Sequence, residues 1–308
     1  MLLERVSAIE YGKAMPDANI FCRPQFTELN RYKVRDVHYL LFHDTKTRLG
    51  ITLGEDSDML RSPFSAPFGG LCANGDQRIK YYDEAVCLLR DYGTGLQKDI
   101  DIALPPSIYN KVDIVKQLSS LSRYGSVRWM DVNCYFNLSH FDRYKEVMKT
   151  NARKNLACGM RNDYVFRHVA SEDRDGVMAA YNVIKVNRKE RGHALRMSLE
   201  NVLDTIAIVP ADFFLLSLDG VDVASAMVFD VTDDISQVIY WGNIQEYSHL
   251  RPMNVLAYRL FEYYHAANKR ILDIGPSSVD GEPDYGLIDF KESVGCELDG
   301  KYHFVLCR

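Results

Sequence analysis

No apolar run in the 308-residue chain approaches the roughly 20 residues that a membrane-crossing helix needs, so no helical span is expected. The amino terminus, Met1-Leu2-Leu3-Glu4-Arg5, lacks the basic flank and apolar core of a secretory leader, and a cytoplasmic location is the expectation. Cysteine is sparse: seven residues, at 22, 72, 87, 134, 158, 296 and 307, with no close pair. An odd, dispersed set fits reduced thiols and argues against a disulfide framework or a zinc site. The eight histidines form no His-x-x-x-His pair and no Ser-His arrangement, so no metal and no Ser-His chemistry is expected. Positive charge is also short. A net charge of −5 argues against general nucleic-acid affinity, so no DNA partner is expected and tRNA is not favoured. One local exception is the run 149–167, where Lys149, Arg153, Lys154, Arg161 and Arg167 crowd together; a solvated helix face is its plain reading.

What remains is the composition of an ordinary globular chain, too long for one comfortable core, and two domains are expected, 1–150 and 151–308. In the first half a short helix near 26–31 precedes a hairpin of 37–43 with 48–54 and a third strand ending near Arg61. The next ten residues, Ser62-Pro63-Phe64-Ser65-Ala66-Pro67-Phe68-Gly69-Gly70-Leu71, hold two prolines and a glycine pair and read as a shaped loop. A helix carrying Ala85, Leu88, Leu89 and Tyr92 on one face follows, then a strand on Ile100, Ile102 and Leu104, a helix on Val112 to Leu121, and a strand over 127–138. The second half repeats that order. Helices over 172–190 and 199–208 lead to a hairpin turning at Asp219-Gly220. A strand over 236–240, a helix opened by Pro252, a strand over 270–275, a helix capped by Asp284 and a closing strand over 301–307 complete it.

In the helix after Pro252, Leu256, Leu260, Tyr263 and Ala267 share a face. A helix between two strands of one sheet must cross over, so the flanking strands are expected to be parallel neighbours. Ligands of such sheets gather beyond the carboxyl ends of the strands, beside the helix N-terminus. The fold class is therefore α/β: in each domain a mixed, mostly antiparallel sheet with one parallel pair that splays, and flanking helices.

That element order resembles the GNAT acyltransferase fold, and its double occurrence resembles the FemAB-like branch, with two GNAT-like domains in tandem. The residues carrying the resemblance are Asn187-Arg188-Lys189-Glu190-Arg191-Gly192, Asp222-Val223-Ala224-Ser225-Ala226, and Leu272, Asp273, Gly275 and Ser277. Asp284-Tyr285-Gly286-Leu287, Phe290-Lys291 and Gly295 continue it, and Pro67-Phe68-Gly69-Gly70 looks like the loop that this branch carries before its first crossover helix. Two features depart from the acetyl-CoA enzymes. Their glycine-rich turn before the crossover helix is replaced by Tyr247-Ser248-His249-Leu250-Arg251-Pro252-Met253-Asn254, and the slot of their tyrosine acid holds Lys291. FemAB-like aminoacyl transferases resemble this chain in having a Phe-Lys pair there, with the lysine near the transfer centre.

The resemblance implies acyl or aminoacyl transfer to an amine of an amino-sugar or cell-envelope precursor, with acyl-CoA or aminoacyl-tRNA as donor. Lys291 would stabilise the tetrahedral oxyanion, Tyr285 would assist proton transfer, and Arg191 would orient the acceptor. Asp273, Phe68, Gly69 and Trp241 are further substrate-side candidates, and Arg251 and Asn254 are the candidates for donor phosphate. Each has a plainer reading beside it. Lys291 fits the solvated face of an amphipathic helix, Tyr285 fits simple packing, and Asp273 fits a structural pair with Arg270 or Arg251. Gly69-Gly70 reads equally as a turn, and Arg188 and Arg191 suit any helix C-terminus. A non-catalytic tandem scaffold, expected to bind a ligand or protein partner in a groove between the two domains, is the alternative to an enzyme.

Overall fold

The computed structural model describes all of residues 1–308. In chain order the first elements are β1 (Leu2–Val6), α1 (Ala8–Ala14), α2 (Pro24–Leu29), β2 (Asp36–His43), β3 (Thr47–Glu55), β4 (Met59–Ser62) and β5 (Cys72–Ala73). They continue with α3 (Ile79–Gly95), β6 (Asp99–Ala103), α4 (Lys111–Tyr124), β7 (Ser126–Asn137), α5 (Tyr144–Val147), α6 (Thr150–Gly159) and β8 (Val165–Ala170). Next come α7 (Arg174–Glu190), α8 (Leu199–Ile206), β9 (Ala211–Leu218), β10 (Val221–Asp230) and β11 (Ile235–Asn243). The last are α9 (Pro252–Ala266), β12 (Ile271–Pro276), β13 (Ser278–Val279), β14 (Glu282–Pro283), α10 (Tyr285–Ser293) and β15 (Glu297–Leu306). The order read from the sequence (hairpin, third strand, helix, strand, helix, strand) occurs twice, as β2-β3-β4-α3-β6-α4-β7 and β9-β10-β11-α9-β12-α10-β15. No helix is long and apolar enough to cross a membrane.

Two compact units divide the chain. The first comprises Met1–Val132, Ser278–Glu282 and Asp299–Arg308; the second comprises Asn133–Ser277 and Pro283–Leu298. Residue 150, where the sequence suggests a break, lies inside the second unit, because Leu138, Tyr144 and Met148 already bury their side chains in that unit's core. β7 and β15 each contribute residues to both units.

In the first unit the strands run in the order β1-β2-β3-β4-β6-β15, antiparallel except for the parallel pair β4 and β6. Leu40, Ile51, Leu53, Leu89, Ile102 and Phe304 meet in its main core. In the second unit the order is β7-β12-β11-β10-β9-β8, antiparallel except for β11 and β12. Here Phe136, Leu216, Val228, Leu256, Leu260 and Phe261 build the core, so the apolar stripe of α9 faces inward as its spacing demands. Tyr264, rather than Ala267, completes that stripe, since the helix has ended by 267.

Caps set the helix starts: Asn110 for α4, Asp173 for α7, Ser198 for α8 and Asp284 for α10 each accept a backbone N–H of the first turn. Some elements escape the hydrophobic pattern. β1 is an edge strand with no fully buried residue, and α1 is too short for a periodic stripe, its one signal being the capping box of Ser7 and Glu10. β8 lies in the basic run expected to be helical; there Arg167 sits on a strand opposite Leu215, and only 150–159 is helix.

Candidate functional site

The second unit's parallel strands pair at only three positions, Ile235 with Ile271, Ser236 with Leu272 and Gln237 with Asp273. Beyond these each strand carries an extra residue relative to its other neighbour, Ile239 in β11 against β10 and Ile274 in β12 against β7. Such bulges bend a strand and raise its twist, and here they mark the point where β11 and β12 part. Asp273 locks that point. Its carboxylate accepts the Asn133 and Gln237 side-chain amides at 2.8 Å each and the Gly275 N–H at 2.9 Å. The anticipated pairing with Arg270 or Arg251 does not occur: Arg270 bonds Asp234 at 2.6 Å, and Arg251 has no carboxylate within 4.0 Å.

Strand divergence strips β12 of the donors that β11 would have offered to its carbonyls. Lys291 supplies them instead. From the last turn of α10 its Nζ donates to the carbonyls of Ile274 at 3.1 Å, Gly275 at 2.9 Å and Pro276 at 3.2 Å. It is 2% exposed, so the solvated-face reading fails. Burial pushes the ammonium below its usual value, and the positive charge of Arg188 acts in the same direction. Three N–H bonds to three carbonyls use every proton the ammonium has.

A cleft of about 500 Å³ opens in the second unit between the C-terminal end of α7, the end of β11, the start of α9 and the first half of α10. Of the residues singled out from the sequence, Arg191, Trp241, Arg251 and Asn254 line it. Trp241 and Phe290 form its aromatic wall, with ring centres 6.0 Å apart. α7 reaches β11 because residue 242 is glycine: a Cβ there would lie 2.3 Å from Asn187 Oδ1. The buried Asn187 amide donates to the Asn243 carbonyl at 2.7 Å, and Asn243 in turn bonds Ser248 Oγ at 2.8 Å, fixing the loop that leads to α9. At the start of α9, Arg251 adopts a left-handed conformation (φ 61°) and Pro252 has no amide to offer. The Asn254 N–H points back to the Arg251 carbonyl at 3.2 Å, so this helix start has little of a phosphate cradle.

Arg188 joins the cleft, although its sequence position suggested only a helix end. Its guanidinium lies 5.2 Å from the centre of the Tyr240 ring and donates to no protein partner; Nε is sealed from solvent without an acceptor. Desolvation lowers its pKa, the Tyr240 ring opposes that effect, and repulsion from Arg191 adds to it. The available signal was the spacing of Arg188 and Arg191 behind Asn187 on a helix end at the strand carboxyl termini.

The remaining candidates lie elsewhere. Tyr285 heads α10 with its side chain 75% exposed and is not part of the cleft wall. Phe68 and Gly69 belong to the first unit. There Phe68 is fully buried against Phe21 and Tyr109, with ring centres 5.2 and 4.6 Å away. The Gly69 N–H donates to the Ala103 carbonyl at 2.8 Å, and a Cβ on it would lie 2.8 Å from Pro63 N. This glycine lets the chain approach itself, not a ligand.

No family model and no curated protein matches the chain. Solved structures do. FemX superposes with a TM-score of 0.68 at 12% identity, over 100% of this chain and 98% of its own. L-PGS from Bacillus licheniformis gives 0.62 at 10% identity, over 98% and 92%, respectively. A tandem GNAT protein from the clavulanic acid biosynthesis pathway gives 0.54 at 11% identity, over 99% and 98%. At such identities the likeness speaks for the fold, and it agrees with the element order and the parted parallel strands. The chain has the FemAB-like, GNAT-type fold.

Proposed function

We propose that this protein is an acyl or aminoacyl transferase that acylates an amine in the cleft of its second unit. The observation carrying this reading is the parting of β11 and β12 after Gln237 and Asp273, next to a cleft of about 500 Å³. The amine nitrogen attacks the acyl carbonyl carbon and a C–N bond forms. The bond from that carbon to the thiolate or ribose oxygen of the donor then breaks, and the amine's proton leaves with that group. Main-chain N–H groups of β11 beyond Gln237, released from strand pairing, are the oxyanion donors in this reading; such a donor is worth roughly 2.7–4 kcal/mol. Lys291 holds the β12 carbonyls in place and adds positive charge behind the transfer point. Arg191 and Arg251 hold the charged parts of acceptor and donor, and Trp241 with Phe290 packs against the acyl portion.

The acceptor class is an amino-sugar or cell-envelope precursor, and the donor an acyl-CoA or an aminoacyl-tRNA; the working compartment is the cytoplasm. The sparse amide set at the start of α9 favours a donor held by side chains rather than by a glycine-rich turn. Thermal unfolding with saturating CoA thioesters, and separately with a minimal aminoacyl-tRNA mimic, tests the reading. One of the two should raise the midpoint and be consumed when an amine is added. If neither stabilises the protein nor is consumed, the transferase reading falls. A second reading, a ligand-binding scaffold without turnover, is favoured by the full engagement of the Lys291 ammonium; it expects stabilisation by a ligand without consumption.

A further inference from the structure

The arginines in the wall of this cleft have no carboxylate partner, whereas several arginines elsewhere do. Arg5, Arg31, Arg48, Arg61, Arg128 and Arg259 each have a carboxylate within 4.0 Å. Arg188, Arg191 and Arg251, the arginines of the cleft wall, have none, in a protein whose net charge is −5. Asp284, the one acid of the cleft wall, already caps α10 by accepting the Leu287 N–H at 2.9 Å. Arg191 and Arg251 are exposed, whereas Arg188 is half-buried; a cation taken out of water without a partner is costly, and the fold tolerates such an arrangement where a ligand completes it.

Arg188 is the best placed of the three. Tyr240 lies under its guanidinium, and the helix end that carries it is fixed by the Asn187 to Asn243 bond. Its Nε is sealed, but the terminal nitrogens are neither sealed nor bonded, and the residue lines the cleft. Two N–H groups in one plane match the paired oxygens of a carboxylate or phosphate. We infer that Arg188 is a dedicated seat for an oxyanion of the substrate, so that the molecule acylated or the donor carries a phosphate or carboxylate beside the reacting group. This inference rests on the second unit's cleft being the working site. The aromatic wall of Trp241 and Phe290 then receives the less polar portion of the same molecule.

Calorimetric titration of the full chain with inorganic pyrophosphate and, separately, with acetate at constant ionic strength tests it and distinguishes the two sources of the oxyanion. Wild type should bind at least one of them. Arg188→Met should weaken that binding by about 10-fold or more, the loss expected for a charged hydrogen-bonded contact. Arg188→Lys keeps the charge but not the fork and should weaken it less, which guards against a folding defect in the methionine variant. Arg259→Met, removing a surface cation paired with Glu262, should leave affinity unchanged. Absence of binding in wild type, or equal binding in wild type and both Arg188 variants, overturns the inference. Oxyanion binding that depends on Arg188, without any turnover of donors, would sink the transferase reading and keep this one.

Discussion

Each unit places a crossover helix between two parallel strands, β4-α3-β6 in the first and β11-α9-β12 in the second, yet the space beyond the strand ends is used in opposite ways. In the first unit the chain itself fills that space. The Gly69 N–H meets the Ala103 carbonyl, the Gly70 N–H meets Ser62 Oγ at 3.1 Å, and Gln117 exchanges two bonds with Leu71 at 2.9 and 3.0 Å. Phe68 closes the packing with no exposed surface. In the second unit Lys291 satisfies the carbonyls of one parted strand, and a cleft with three arginines in its wall opens at the end of the other. One arrangement of strands thus serves as a packed core in one copy and as an open site in the other, and what decides between them is the segment after the strand.

The contrast can be broken first at Phe68. If its loop is structural fill, Phe68→Ala should cost about 3–5 kcal/mol, as for large aromatic truncations in cores. Urea unfolding measures the loss, and affinity for cleft ligands should not change. A variant of unchanged stability that loses ligand binding would instead make the loop part of a site.

The corresponding change in the second unit is Lys291→Met, similar in volume but unable to donate. Each buried polar group left unpaired costs roughly 1–3 kcal/mol, and with partial relaxation of the three carbonyls a loss of about 3 kcal/mol is expected. Turnover should fall with it, because the parted strand loses its support. Full stability with lost turnover would place the lysine in the chemistry rather than in the frame.

Charge offers a third probe: the first unit buries the carboxylate of Asp131 and the second the ammonium of Lys291, each held by hydrogen bonds. Asp131 accepts Ser278 Oγ at 2.7 Å and the Gly281 N–H at 3.1 Å, with His303 Nε2 3.1 Å away. Desolvation alone would raise its carboxyl, but these partners outweigh burial and hold it down to about 2, from 3.8. A lowered folded-state pKa gives stability that is complete above the unfolded value and lost as pH falls. Roughly 2 kcal/mol should therefore disappear between about pH 3.8 and 2. Wild-type urea midpoints should show this slope, and in Asp131→Asn it should be shallower by that amount.

The sequence was most legible where chemistry and topology coincide. Arg191, Trp241, Arg251 and Asn254 stand at the ends of a helix, a strand and the next helix, where an α/β sheet gathers its ligand, and all four reach one cleft. Local pattern also sufficed for α9, whose inward residues repeat over several turns. It did not suffice for Gly69, because closeness to a ligand and closeness to Ser62 and Pro63 demand the same residue. Nor did it reveal the burial of Lys291, which depends on β12 carbonyls laid open where two bulged strands part, a tertiary feature with no local pattern.

Tyr285 gives the smallest expected effect and the sharpest test of a role inferred from position alone. Its side chain is 75% exposed at the head of α10, whose start is fixed by the Asp284 cap and not by the phenol. Tyr285→Phe should therefore change stability by less than about 0.5 kcal/mol, as surface substitutions do. If the departing group takes the amine's proton directly, turnover should also stay within about twofold of wild type. A positioned general acid contributes on the order of 100-fold or more, so a loss of that size at unchanged stability would bring the tyrosine into the reaction. The open copy would then need a movement of the α10 start toward its cleft before transfer, which the filled copy has no counterpart for.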